Sequence, residues 1–339
     1  MVESPVQRIA VVGAGAWGTA LALVARRTGR AVKIAARKSD VADAINHRHE
    51  NPLFLPGVHL DTAIEATTDA GATVAWADAV LLAVPAQYLR GVATTIAPML
   101  RDQTPVIICA KGIECGTGAM MSEIVASILP ACRIAVLSGP TFAAEVARGL
   151  PTAVTLACTD SGLATRLIDA LGGPTFRPYQ SSDVIGVQIG GAVKNVIAIA
   201  CGIVVGRKLG ENARAAVMTR GLAEIMRLGV AMGARRETLM GLSGLGDLSL
   251  TCASAQSRNM SLGIALGEGR SLADALAGKR SVAEGADSAT SVRALARQKG
   301  VDMPIVEAVD TILHEGAAID ATIAALLARP FRSEEEGGA

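Results

Sequence analysis

Aromatic side chains are scarce in this 339-residue chain: two Trp, two Tyr and four Phe make up 2% of it. So few rings leave little on which to stack unpaired bases, and a net charge of +1 gives no broad field to draw a polyanion. Nucleic acid is therefore a poor partner for it. The six cysteines, at 109, 115, 132, 158, 201 and 252, include no CxxC pair and show no zinc spacing. They read as small core residues, with no metal expected and a reduced, cytoplasmic setting implied. The opening residues MVESPVQRIAVV lack the basic segment, long apolar core and cleavage site of a signal peptide. Only one long apolar run is present, residues 184–206, and a charge sits at its centre.

What the chain does have is aliphatic bulk. Half of its residues are hydrophobic and 36 are glycine, so the core must be built from Ala, Val, Leu and Ile packed closely, as in an α/β enzyme. Short apolar runs alternate with helical segments up to about residue 180: 9-IAVV-12, 32-VKIA-35, 79-AVLLAVP-85, 105-PVIICAKG-112, 133-RIAVLSGP-140 and 152-TAVTLAC-158. Each is followed by turn residues and reads as a strand of a buried, mostly parallel sheet. Beyond about 182 the strand signal gives way to helical periodicity, as in 212–233 and 302–316. The fold class is therefore α/β: a Rossmann-type doubly wound sheet (residues 1–181) followed by an all-α domain (182–330) and a solvated acidic tail (331–339).

Directly after the first strand comes 13-GAGAWG-18, a G-x-G-x-x-G opening a helix that ends near Thr28 and Gly29. The spacing alone is weak evidence. Set between a strand, a helix and a second strand, it predicts dinucleotide binding through Gly13, Gly15, Ala16, Trp17 and Gly18. Gly13 allows the tight turn, Gly15 a close approach of the pyrophosphate, and Gly18 close packing of helix on strand, with the helix N-terminus facing the phosphates. Where NAD-binding chains carry an acidic residue, this one has Arg37 and Lys38, with Asp40 further on. Two cations suit a 2′-phosphate, so NADPH is expected over NADH, although both positions also suit ordinary surface charge.

The apolar run holds Lys194 followed by Asn195. Its length suits a membrane span, and Gly186 and Gly190 have a packing spacing. The central charge and Gln188 argue against a span, leaving a packed structural lysine or a catalytic one. Polar residues recur in 111-KGIE-114, 138-SGPTFAAEVA-147 and 241-GLSGLGDLSLTCASAQSRN-259. Lys111 and the Ser138–Thr141 turn follow strands, where open parallel sheets bind ligands. Asp247, Thr251, Ser257, Arg258 and Asn259 gather in the last stretch, where Arg258 and a helix start suit an anion. Taken singly, Lys111 and Asp247 read as a strand end and a helix cap. Together these groups suit a small phosphate ester bearing a reducible carbonyl.

GAGAWGTALA, KGIE, SGPTFAAEVA, GGAVKNVIAIACG, GLGDLSLTC, SRN and 282-VAEG-285, in this order from about residue 8 to 325, resemble the NAD(P)-dependent glycerol-3-phosphate dehydrogenase family. The resemblance implies reversible reduction of dihydroxyacetone phosphate to sn-glycerol 3-phosphate, feeding phospholipid synthesis. It places proton transfer on Lys194, contact with both cofactor and substrate on Lys111, and substrate contact on Gly139 and Thr141. Ala143 falls at a cofactor contact; Asp247, Ser257, Arg258 and Asn259 fall in the substrate segment, Arg258 also reaching the cofactor; Val282 and Glu284 fall on the nicotinamide side. Ala16 stands where many relatives carry Ser, so a side-chain hydrogen bond is lost there. In 35-AARKSD-40 the residue before Arg37 is smaller than in many relatives. A homodimer is expected.

On this reading the Lys194 ammonium donates a proton to the carbonyl oxygen. Burial and nearby cations would lower its pKa, and an adjacent Asp247 would hold it up. Asn195 points about 100° around the helix and orients a ligand instead. Two other readings stand: a hydroxy-acid dehydrogenase of similar build, and a dinucleotide sensor without turnover. The sensor is disfavoured because it would gain nothing from an unpaired buried ammonium.

Overall fold

The structure, a computed structural model, describes residues 5–277 and 284–330. The chain divides into two compact units, Met1–Lys111 with Met120–Val184 and Gly112–Ala119 with Ile185–Ala339. The expected acidic tail, 331–339, lies outside the described residues.

The first unit is built on an eight-stranded sheet. In chain order the strands are β1 (Arg8–Val12), β2 (Ala31–Ala35), β3 (Glu50–Asn51), β4 (Leu55–His59), β5 (Ile64–Thr67), β6 (Ala79–Leu82), β7 (Pro105–Ile108), β8 (Arg133–Ser138), β9 (Thr152–Ala157) and β10 (Phe176–Ser181). The sheet order is β10-β9-β8-β7-β6-β1-β2-β5, and β3 pairs with β4 in a separate antiparallel hairpin. Within the sheet every pairing is parallel except β8 with β9. The sequence pattern located β1, β2 and β6 to β9 but missed β5, β10 and the hairpin. β5 and β10 are edge strands, and the Pro178 of β10 lacks a ladder donor, which an edge tolerates. The central strands β6 and β7 are buried at every position, which is why they read as unbroken apolar runs. Four of the six cysteines are buried, Cys132 is partly so and Cys115 is exposed; none is bridged.

The second unit is helical. Its central element is Val184–Gly206, 23 residues long. By length and composition that helix could cross a membrane, yet 83% of its apolar window is buried inside the protein. Glycines let other backbones reach it. A Cβ on Gly202 would lie 2.2 Å from the Met260 carbonyl oxygen, and one on Gly263 would lie 2.1 Å from that of Ile199. Helices Val184–Gly206 and Arg258–Gly267 thus meet along Gly202 and Gly206 facing Gly263 and Gly267. Of the expected packing glycines, Gly190 is used against the backbone of Ser243 and Gly244. Glu211–Ala231 reaches Ile197 of the long helix at Gly221, Glu284–Gln298 meets both helices of the pair at Gly285, and Pro304–His314 packs on Glu211–Ala231 and Glu284–Gln298.

Candidate functional site

In the first unit the glycine loop joins β1 to helix Ala16–Arg27. Gly13 has φ +113°, and a Cβ there would sit 2.6 Å from the Ala83 carbonyl oxygen. A Cβ on Gly18 would come within 1.9 Å of the Gly13 oxygen, so the loop closes on its own helix. Gly15 differs: its φ of −71° suits any residue, and a Cβ there would meet nothing within 4 Å. The glycine therefore keeps space open at the helix N-terminus. No acidic side chain occupies the first turn, which leaves the positive end of the helix uncompensated by carboxylate. The buried Trp17 indole nitrogen has no partner among the described residues. Open space, an unpaired N–H and a helix N-terminus fit a bound pyrophosphate.

Arg37 and Lys38 follow β2, and both are exposed. Past β7 the Lys111 ammonium donates to the Gly139 carbonyl at 3.0 Å and approaches Thr141 Oγ1 at 3.4 Å. The expected grouping of Lys111, Gly139 and Thr141 at the carboxyl ends of β7 and β8 is therefore present. The neighbouring Ser138 hydroxyl is buried and has no partner among the described residues. Ala143, half-buried, opens the short helix Ala143–Ala147.

In the second unit, Lys194 is 7% exposed. Its Nζ donates to Asp247 Oδ1 at 2.7 Å and to Thr251 Oγ1 at 2.9 Å. Thr251 Oγ1 donates in turn to the Asp247 carbonyl at 2.6 Å. One turn of helix Asp247–Ala253 separates Asp247 from Thr251, which brings both side chains onto the same lysine. The ammonium is thus paired, a correction to the expectation of a lone buried charge. The argument against a non-catalytic sensor that rested on an unpaired lysine fails with it. Taking two charges out of water is costly, and close geometry with a further hydrogen bond offsets that cost.

Asn195 is buried beside the lysine, and its backbone oxygen lies against Gly285. Ser257 Oγ accepts from Met260 N at 3.2 Å as the N-cap of helix Arg258–Gly267. Asn259 Oδ1 accepts from Gly285 N at 3.0 Å, in the first turn of helix Glu284–Gln298. Both side chains therefore already hold a helix start. Arg258 is exposed and forms no ion pair among the described residues. Glu284 begins its helix and is half-buried, whereas Val282 lies outside the described residues.

Sequence reading missed Asn51. It is fully buried and bonds to the glycine loop, but in 47-HRHENPLFLPG-57 it carries no signal beyond that of a turn residue.

The chain matches two family models: the NAD-dependent glycerol-3-phosphate dehydrogenase N-terminus over residues 8–164, and the C-terminus of the same enzyme over 183–324. It is 59% identical over 328 residues to a glycerol-3-phosphate dehydrogenase [NAD(P)+] of Parvibaculum lavamentivorans, covering 97% of this chain and 98% of the relative. A second relative of that name, from Rhodospirillum rubrum, is 58% identical over 97% of this chain and 94% of its own. The crystal structure of glycerol-3-phosphate dehydrogenase from Coxiella burnetii superposes with a TM-score of 0.92 at 41% identity, covering 95% of this chain and 99% of that one. With both halves matched and relatives aligned along almost their whole length, the chain belongs to the NAD-dependent glycerol-3-phosphate dehydrogenase family.

Proposed function

We propose that this protein catalyses the NAD(P)H-dependent, reversible reduction of dihydroxyacetone phosphate to sn-glycerol 3-phosphate. The observation that carries the mechanism is the buried Lys194–Asp247–Thr251 cluster, set in a chain of this family. When bound, the reduced nicotinamide supplies hydride to the substrate's carbonyl carbon. Lys194 Nζ gives a proton to the carbonyl oxygen in that direction and takes it back in the other. Asp247 keeps the ammonium oriented, and Thr251 fixes both by bonding to each.

Binding is divided along the chain. Residues 1–181 hold the dinucleotide: Gly13, Gly15, Ala16, Trp17 and Gly18 at the pyrophosphate, Ala143 beside it, and Arg37 and Lys38 toward the 2′-phosphate. Residues 182–330 carry the catalytic lysine and the phosphate-binding Arg258, with Asn195, Ser257 and Asn259 shaping the substrate contact and Glu284 on the nicotinamide side. Lys111 serves cofactor and substrate, and Gly139 and Thr141 serve substrate. The exposed Arg258 guanidinium at a helix start suits a phosphate dianion, which a hydroxy-acid substrate lacks. We also infer a cytoplasmic homodimer that supplies glycerophospholipid synthesis.

The test follows oxidation of NADPH and NADH, in parallel, after addition of dihydroxyacetone phosphate. Oxidation that depends on the phosphate ester is expected, faster with NADPH. Cofactor binding without oxidation would return the hydroxy-acid or sensor reading. Lys194→Ala is expected to lower kcat at least 100-fold, and near-normal turnover would refute the role given to the lysine.

A further inference from the structure

The Asn51 side chain, 0% exposed, reaches out of β3 to the glycine loop. Its Nδ2 donates to the Ala14 carbonyl at 2.9 Å and to Thr19 Oγ1 at 2.9 Å, and its Oδ1 accepts from Phe54 N at 3.2 Å. The orientation of the amide is fixed by the bonds themselves, because a carbonyl oxygen can only accept. The residue lies 37 positions from Ala14 in sequence and is held there by its hairpin. Leu55, Val58 and Leu60 of that hairpin region are buried in the core of the first unit, so the anchor is rigid.

In a trans peptide the C=O and N–H lie in one plane and point in opposite directions. Ala14 C=O and Gly15 N–H belong to the same peptide. Turning that carbonyl inward to the buried Asn51 therefore turns the Gly15 N–H the other way. Among the described residues the Gly15 N–H has no acceptor, and a Cβ on Gly15 would meet only open space. Glycines on both sides of Ala14 make this the easiest peptide of the loop to flip. A flip would present a carbonyl lone pair in place of an N–H donor.

We propose that Asn51 is a positioning residue for the cofactor: it locks the Ala14–Gly15 peptide with its N–H turned toward the dinucleotide pyrophosphate. The inference rests on the proposed dinucleotide reading of the loop. It predicts that Asn51 governs cofactor affinity while leaving substrate handling and the chemical step alone.

The experiment compares wild type with Asn51→Asp, which keeps the acceptor for Phe54 N but sets a carboxylate oxygen against the Ala14 carbonyl. Should the buried carboxylate prevent folding, Asn51→Ser takes its place, since its hydroxyl is too short to span the same gap. NADPH affinity is read directly by nicotinamide fluorescence titration, and kcat and both KM values by steady-state kinetics. The expected result is at least a tenfold rise in the Kd and KM for NADPH, with kcat at saturating cofactor and KM for dihydroxyacetone phosphate within about twofold of wild type. A folded variant with unchanged NADPH affinity, or one losing kcat and both KM values alike, would overturn the proposal and leave the function standing. A wild-type protein that fails to bind NADPH would overturn both.

Discussion

Replacing Thr251 by Val removes its hydroxyl while keeping its shape, and so isolates one bond of the buried lysine cluster. Lys194 then keeps Asp247 at 2.7 Å but loses the acceptor at 2.9 Å, leaving an N–H inside the protein without its partner. A buried donor left unsatisfied costs about 1–3 kcal/mol, and Thr251→Ser, which keeps the hydroxyl, is expected to cost less. Denaturant unfolding of the two variants measures the difference; a Thr251→Val protein as stable as wild type would mean that the hydroxyl bond to Lys194 contributes nothing. At this scale the sequence was readable where a residue type broke its surroundings. Lys194 stands out in an apolar helix, as do Gly13, Gly15 and Gly18 between strand and helix. Asn51 did not stand out, because a buried amide looks in sequence like any turn residue; Trp17 was placed in the glycine loop, but its unpaired indole N–H is a tertiary fact. Nor did the sequence show that Lys194 and Asp247, 53 positions apart, form a pair.

Helix Pro304–His314 takes its N-terminal cap from a side chain some 80 residues earlier. Pro304 has no N–H to satisfy, and the next two donors, on Ile305 and Val306, go to Glu224 Oε1 and Oε2 at 2.7 and 3.1 Å. Burial pushes the Glu224 carboxyl up to about 7, outweighing the two N–H donors and nearby Arg227; Asp302 adds to the rise. A carboxyl that binds its proton more tightly folded than unfolded favours the folded state below about pH 4.5, and the benefit is lost as pH rises toward 7. Wild-type stability is therefore expected to fall between about pH 4.5 and 7 by on the order of 3 kcal/mol relative to Glu224→Gln. Urea unfolding of both proteins across that range tests this, and parallel curves would sink it. The glycine seam between Val184–Gly206 and Arg258–Gly267 makes a second prediction. Gly202→Ala would force a Cβ into the Met260 carbonyl and cost about 1–3 kcal/mol or more, whereas Gly269→Ala has open space around it but a φ of +92° to strain. If Gly202→Ala unfolds at the wild-type denaturant concentration, the two helices do not pack as closely as described. Helices were legible at this scale because their periodicity is local. The partner that caps a helix, or the glycine that admits a neighbour, is a tertiary fact.

Strand order is a property of the whole chain, and periodicity carries no direction. The apolar runs announced a mostly parallel sheet, but the reversal of β9 against β8 depends on a short connection, Gly139 to Pro151, that turns the chain back without a full crossover helix. Glycerol-3-phosphate dehydrogenase motifs spread from residue 13 to residue 285 made the family legible all the same, because recognition by motif does not require the topology. The two-unit build has a thermodynamic consequence. A ligand that binds the folded state alone stabilises what it binds by mass action, by about 2.7 kcal/mol at 100 times its Kd. For a unit of roughly 150–250 residues that amounts to roughly 5–10 °C in Tm. If the dinucleotide is held by the glycine-loop unit, NADPH should raise the transition in which the β-sheet signal is lost by about that much in a calorimetric and circular-dichroism melt. Adenosine alone, which brings no pyrophosphate to the Gly15 N–H, should raise it far less at the same concentration. A shift of equal size with both ligands would mean that the open space above Gly15 contributes nothing to binding, and the loop would then be a turn.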